Sequence, residues 1–319
     1  MKPKTWQGDA MVGRMAAIDV GSNTVRVMAA ELLADGRLVK FADEFLMTAL
    51  GRGLADSGQM PTEAIATTAE FVRAFLAECG PLDEVYCVGT AAARDASNTR
   101  QLQEALQAQA GVKLRVLSGA EEARLTYVGA ISATGDLQGR RPLVADIGGR
   151  STEMALEDAG GLHTASINVG ARSITEEHLR SDPPTRAEVM AARRTTKLAL
   201  GQAANLLGKA DLCVVTGGTA CSAALLAGNL WDMSLWRLQR LRRELCAMPL
   251  AMRRQALVFD PSRAEVICGG LLVLEALVAH SAVRRIRIST GGLREGLLLT
   301  NTGVTEIVSR MAKPQWPGT

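Results

Sequence analysis

Two glycine-containing turns concentrate the residues of this chain that can hold an anion. The first turn spans 19–24, directly after the apolar run 15–18. Gly21 lets the backbone approach a ligand, and the N–H groups that follow it can converge on an anion. The side chains that add donors are Ser22, Asn23 and Thr24. Asp19 is an acceptor among these donors, so we expect it to hold Mg²⁺, often through water. A hairpin with an ordinary polar turn is the alternative.

A second turn has the same design. Its residues are Asp146, Gly148, Gly149, Ser151, Thr152 and Glu153. Two related copies are far harder to attribute to chance than one. If each belongs to one of two similar lobes, the turns face each other across a cleft. We therefore predict that they bind phosphate from both sides.

A carboxylate and an arginine lie where such a cleft needs them. Glu122 begins a predicted helix just before the crossover between the two halves, so it is a candidate general base. An acidic residue in a first helical turn can also serve only as a dipole partner, and that explanation suits Glu121. Arg94 follows the predicted strand 85–88 and can bind phosphate with two parallel hydrogen bonds. The alternative for Arg94 is a solvent-exposed position on a helix.

Two further patterns admit more than one explanation. Gly217 and Gly218 follow the predicted strand 211–215 and can cradle a phosphate or a base, or can simply begin a helix. Arginine recurs between 237 and 254. We interpret these arginines as a solvated helix face, with a track for a polyanion as the minority alternative.

The elements around these residues repeat along the chain. Three strands, a helix, a strand and a helix follow one another in each half, and the segment 18–24 aligns with 145–151. Two copies of a βββαβα unit predict an α/β protein with two similar domains and an interdomain cleft. We place the first domain at 1–133 and the second at 134–319, where the last helix can pack back on the first domain.

Composition excludes several classes of protein. The net charge of +3 is too small to attract nucleic acid or a membrane surface, so we expect neither partner. Six cysteines without a C-x-x-C pair argue against structural zinc and fit reduced, buried thiols. No apolar run reaches 18 residues, and residues 1–14 lack the apolar core of a signal peptide. We expect a cytoplasmic protein.

With these motifs in place, the chain resembles the Ppx/GppA family of exopolyphosphatases and guanosine pentaphosphate (pppGpp) phosphohydrolases. The family has the actin-like (ASKHA, ribonuclease H-like) fold. The resemblance covers residues 14–300, in family order. It rests on AIDVGSNTVRV (17–27), LGRGL (50–54), GTAAARDASN (89–98), VLSGAEEARLTYVG (116–129), VADIGGRSTEMAL (144–156), NVGARSITE (168–176), VTGGTA (215–220) and GGLREGLL (291–298).

The resemblance also implies roles for individual residues. Glu122 corresponds to the catalytic base, and Arg94 to an arginine that contacts phosphate. Asp146 and Glu153 match positions implicated in the Mg²⁺ site. The two turns match the two phosphate loops of the family. We expect similarity to the short, two-domain members. The sequence leaves open whether the chain forms a homodimer.

Two positions depart from the family pattern. Arg150 stands where a third glycine is usual, and Ala49 stands where arginine is common. If the backbone at Arg150 requires positive φ, an arginine is strained there by roughly 1 kcal/mol. Its guanidinium can instead add a phosphate contact, or crowd the site.

We expect a Mg²⁺-dependent exopolyphosphatase that removes the terminal phosphate of inorganic polyphosphate. The alternatives are a pppGpp 5′-phosphohydrolase and a regulatory protein that binds these ligands but turns them over poorly. A phosphotransferase similar to sugar kinases is a more distant alternative.

Overall fold

The structure is a computed structural model of the chain, and it describes residues 11–135, 137, 139–203, 210–281 and 283–301. The strands are β1 (Met11–Val20), β2 (Val25–Leu33), β3 (Leu38–Leu46), β4 (Glu84–Gly89), β5 (Leu114–Val116), β6 (Pro142–Ile147), β7 (Thr152–Asp158), β8 (Gly161–Ile167), β9 (Leu212–Thr216), β10 (Asp232–Ser234) and β11 (Arg285–Ile288). The helices are α1 (Leu54–Ser57), α2 (Thr62–Cys79), α3 (Ala91–Asp95), α4 (Thr99–Ala110), α5 (Gly119–Thr134), α6 (Ala171–His178), α7 (Arg186–Gly201), α8 (Gly218–Leu226), α9 (Leu235–Cys246), α10 (Leu250–Ala256), α11 (Ile267–His280) and α12 (Leu293–Asn301). Among the helices in these ranges, none is both long and apolar enough to cross a bilayer.

The strands form two sheets, which define lobe I (residues 11–134) and lobe II (residues 142–301). In lobe I the order is β3-β2-β1-β4-β5; the first three strands form an antiparallel meander, and β4 and β5 continue it in parallel. Ile18 on β1 packs in the core that includes α2 and α4, while Ala17 packs on the opposite face with residues of α5 and α12. Burial on both faces explains why β1 is apolar without alternation.

Lobe II repeats this arrangement. Its order β8-β7-β6-β9-β11 matches that of lobe I strand for strand, and the short β10 adds an antiparallel edge beside β11. The α/β fold with two similar units, predicted from the internal repeat, is confirmed. The turn after β1 and the turn after β6 therefore occupy equivalent places.

Two helices join the lobes. α12 packs along α5 and against β1, although it follows the last strand of lobe II. The helices approach backbone to backbone, because a Cβ on Gly296 would collide with the carbonyl oxygen of Leu125, and one on Gly129 with that of Gly292. The first turn of α5, which carries Glu122, is therefore held between the two sheets. The predicted domain boundary after residue 133 lies one residue before the end of α5.

The interpretation of the arginines at 237–254 as a solvated face is wrong for two of them. Arg242 is buried and donates to Glu275 at 2.7 Å. Arg253 is also buried and pairs with Asp182 at 3.1 Å. Sequence spacing could not reveal these acids, because they lie 33 and 71 residues away.

Candidate active site

The two glycine-containing turns touch each other between the lobes. A Cβ built on Gly149 of the second turn would lie 3.1 Å from the Cβ of Asn23 in the first. That spacing is tighter than ordinary side-chain contacts, so a residue other than glycine would push the turns apart. The turns therefore meet as two walls of one cleft.

This cleft encloses about 830 Å³, counting the space that opens to solvent. It brings together most of the residues singled out from the sequence. Those that line it are Asp19, Gly21, Ser22, Asn23, Thr24, Glu122, Asp146, Gly148, Gly149, Ser151, Gly217 and Gly218. Donors from both turns thus face one space, as phosphate binding from two sides requires.

Glu122 is buried where α5 begins, with 6 % of its surface exposed. The neighbouring Glu121 accepts from the N–H of Ser118 at 2.9 Å, and its own N–H donates to the Ser118 side chain at 3.2 Å. Glu121 therefore caps the helix, which leaves Glu122 free to face the cleft. Arg94 donates to Oε2 of Glu122 at 2.6 Å and to the carbonyl oxygen of Leu117 at 2.9 Å.

The environment of Glu122 raises its affinity for a proton. Burial raises its pKa well above the usual range, and the nearby Glu153 raises it further. The hydrogen bond and positive charge of Arg94 act in the opposite direction. The net result is a carboxylate that binds a proton more readily than one in water, with Arg94 offsetting part of the rise in pKa.

Three further carboxylates were predicted at this site: Asp19, Asp146 and Glu153. Burial raises the pKa of Asp19 to about 7, and Asp146 contributes to the rise. Burial likewise raises the pKa of Asp146 and of Glu153. The Oδ1 atom of Asp19 and the Oε2 atom of Glu153 are buried without a hydrogen-bond partner in the described chain. Such a site favours a cation, which would supply the missing partners.

Four predicted site residues do not line the cavity. Arg94 instead contacts two acidic residues: it donates to Glu122 and lies 3.6 Å from Glu153. Thr152 is buried and donates to the carbonyl oxygen of Val169 at 2.6 Å. Arg150 turns toward lobe I, as described below. Positive φ among the described non-glycine residues is limited to Ala49 and Asn229, so the strain considered for Arg150 is absent.

Three arginines that the sequence patterns did not single out also line the cleft: Arg26, Arg263 and Arg294. Arg26 pairs with Asp19 in the β1–β2 register, so strand alternation could have placed it on the same face. The guanidinium of Arg263 lies against Gly218 and is held by Asp260 at 2.9 Å. Arg294 reaches from α12 to the carbonyl oxygen of Val27 at 2.9 Å. Arg294 lies in the motif GGLREGLL (291–298), whereas no local pattern marks Arg263.

The fold and the cleft define an actin-like protein of two domains. An exopolyphosphatase-like protein of known structure is 27 % identical with a TM-score of 0.83, over 92 % of this chain and 99 % of that one. The exopolyphosphatase from Cytophaga hutchinsonii has a TM-score of 0.82 at 23 % identity, over 90 % and 97 % of the two chains.

Residues 34–303 match the model of the Ppx/GppA phosphatase family, and the chain belongs to this family. It is 32 % identical to exopolyphosphatase 2 of Mycobacterium tuberculosis, over 91 % of this chain and 99 % of that protein. It is 30 % identical to the guanosine-5′-triphosphate,3′-diphosphate pyrophosphatase of Pseudoalteromonas atlantica, over 89 % of this chain but 57 % of that protein. Membership of a phosphatase family confirms the prediction of a hydrolase that cleaves bonds to phosphate.

Proposed function

We propose that the chain is an exopolyphosphatase, which hydrolyses the terminal phosphoanhydride bond of inorganic polyphosphate with Glu122 as general base. One observation carries this proposal. The cleft presents a buried carboxylate, fixed by Arg94 at 2.6 Å, in a space lined by two donor-rich turns from opposite lobes. Phosphoryl transfer depends on positioning and on charge stabilisation, and this arrangement supplies both.

The proposed reaction needs two functions from the chain. Glu122 takes a proton from a water molecule as the water oxygen attacks the terminal phosphorus. The P–O bond to the next phosphate breaks, and the shortened polyphosphate leaves with the electron pair on its oxygen. Backbone and side-chain donors of the two turns stabilise the charge that develops on the phosphoryl oxygens.

The carboxylates fit the predicted Mg²⁺. Asp19 Oδ1 and Glu153 Oε2 lack partners, and Asp146 faces the same cleft. Within the described residues, no three acidic, histidine or cysteine side chains are grouped closely enough to ligate a metal alone. Magnesium commonly binds through one or two carboxylates together with water and substrate phosphates, which this arrangement allows. Of the predicted ligands Asp19, Asp146 and Glu153, one or two would bind the ion directly, with water and substrate phosphates as its other ligands, and the ion would offset phosphate charge.

Polyphosphate is favoured over pppGpp by the cleft and by the comparisons. The guanidinium of Arg263 lies against Gly218, in the turn that could otherwise receive a base. Arg26 lines the same cavity, so this end of the cleft is cationic. The chain also matches nearly the whole length of the mycobacterial exopolyphosphatase, but little more than half of the pyrophosphatase.

The test compares phosphate release from polyphosphate and from pppGpp, each with Mg²⁺ and with a chelator. We expect release from polyphosphate with Mg²⁺, and a loss of roughly 10²- to 10⁴-fold in kcat for Glu122→Gln with binding retained. Glu121→Gln is the matched control, because glutamine can replace glutamate in this helix cap. Tight binding of both ligands without turnover would contradict the proposal, as would an active Glu122→Gln variant.

The same assay decides the pppGpp alternative. The 30 % identity to a protein named for pppGpp hydrolysis is the observation that supports it. A higher kcat/KM for pppGpp than for polyphosphate would replace our proposal with that activity.

A further inference from the structure

Each phosphate loop carries a strap from its own lobe. In lobe I, the N–H of Ala49 donates to the carbonyl oxygen of Asn23 at 3.0 Å, and that of Gly51 to Ser22 at 2.6 Å. In lobe II, the N–H of Arg172 donates to the carbonyl oxygen of Gly149 at 2.6 Å. We call residues 49–51 strap I and residues 170–173 strap II. Each strap fixes the backbone of the loop beneath it.

Two arginines of lobe II cross to lobe I. Arg172 of strap II is buried and donates from Nε to Oδ1 of Asn23 in the first loop at 2.8 Å. Arg150 of the second loop donates to the carbonyl oxygen of Gly51 in strap I at 3.3 Å. Arg150 and Asn23 hold equivalent positions in the two repeats. The contacts are therefore reciprocal: strap II binds loop I, and loop II binds strap I.

Acidic side chains of both lobes hold the Arg150 guanidinium. Glu176 lies 3.4 Å from Arg172 and 4.0 Å from Arg150, one oxygen toward each. Asp95 of lobe I lies 3.9 Å from Nε of Arg150. The Arg150 side chain is 14 % exposed and does not line the cavity. Arg150 can therefore affect the substrate only indirectly, through the second loop and strap I, which it connects.

We propose that Arg150 is a positioning residue that holds the two phosphate loops together before substrate binds. Its hydrogen bond to Gly51 fixes strap I, and strap I fixes the backbone at Ser22. Without this contact the loops separate more easily, and substrate must supply the free energy that closes them. The kinetic part of this inference rests on the proposed function; the structural part does not.

The experiment compares Arg150→Ala, Arg150→Lys and Arg100→Ala. Arg100 is 88 % exposed on α4 and serves as the matched control. We expect Arg150→Ala to raise KM for polyphosphate by roughly three- to tenfold, the range of one lost hydrogen bond, and to leave kcat within about twofold. Lysine keeps a donor and a charge, so KM for Arg150→Lys should lie between those of the parent and of Arg150→Ala. A fall in kcat at unchanged KM, or no rescue by lysine, would overturn the proposal.

Small-angle X-ray scattering of the ligand-free proteins tests the structural part independently of activity. A compact chain of this length has a radius of gyration of about 20 Å. We expect the radius of gyration of Arg150→Ala to exceed that of the parent and of the Arg100→Ala control. Polyphosphate with Mg²⁺ should reverse this increase. Glu176→Gln, which keeps the size of the side chain, should show a smaller increase. Identical scattering for the parent and Arg150→Ala refutes the positioning role of Arg150, even if the protein is an active phosphatase. A larger radius of gyration for Arg150→Ala, without turnover by the parent, supports that role and rejects the proposed function.

Discussion

Asp19 offers a quantitative test of the buried carboxylates. Its Oδ1 atom has no partner among the described residues, and its pKa is raised from 3.8 to about 7 by burial and by Asp146. The folded protein therefore binds this proton more tightly than the unfolded chain does. In the absence of metal, the free energy of unfolding should fall as the pH rises from about 4 to about 7, and should level off above that. Asp19→Asn removes the titrating group and keeps its shape.

The size of the effect follows from the shift. A rise of about three units, at about 1.36 kcal/mol for each, sets an upper limit on the order of 4 kcal/mol. Asp19 lines an open cleft, so solvent screens part of this energy. We therefore expect metal-free Asp19→Asn to be more stable than the parent by about 2 kcal/mol at pH 8, and equally stable near pH 4.

Urea unfolding in chelator, from pH 4 to pH 8, measures this difference. Asp56→Asn is the control: Asp56 is exposed on α1, so this variant should keep the pH dependence of the parent. Added Mg²⁺ should stabilise the parent more than Asp19→Asn, because it binds the folded parent through the Asp19 carboxylate, which the variant lacks. A stability difference that does not change with pH would refute the assignment of a proton to Asp19.

Three further predictions concern other contacts. Arg94→Gln removes the group that lowers the pKa of Glu122, so the acid limb of the kcat–pH profile should move to higher pH; an unmoved limb contradicts Glu122 as the base. Gly296→Ala places a methyl group against the Leu125 carbonyl, so urea unfolding should show a loss of roughly 1–3 kcal/mol. Glu188 caps α7, and its pKa is lowered to about 2 by hydrogen bonds from Thr185 and Ser181. Thermal melts should show the parent more stable than Glu188→Gln above pH 4.5, with the advantage lost as the pH falls toward 2.

The repeated fold could be predicted because its signals are local. The alignment of 18–24 with 145–151 marks two equivalent turns, and the strands around each turn are apolar runs bounded by glycine. Glu122 could be separated from Glu121 only in part, since both lie in a first helical turn. The structure shows the reason for the difference: one carboxylate caps the helix and the other faces the cleft.

The cationic end of the cleft could not be predicted in the same way. Arg263 lies on a short 3₁₀ turn 117 residues beyond Asp146, and only the packing of α11 and α8 brings it against Gly218. Arg294 reaches the site because α12 returns to lobe I. Arrangements of this kind depend on how helices cross, and helix periodicity does not encode crossing partners.

Arg150 shows how two matching loops can acquire different tasks. Asn23, its counterpart in the repeat, lines the cavity and accepts from Arg172 of the opposite lobe. Arg150 leaves the cavity and donates to Gly51 of the opposite lobe. A glycine at 150 would leave the carbonyl of Gly51 without this donor, and Ala49 in strap I offers no polar side chain to replace it. One departure from the family pattern, Arg150, donates to strap I, and the other, Ala49, lies in strap I two residues before the acceptor Gly51, so their effects should be tested together rather than one at a time.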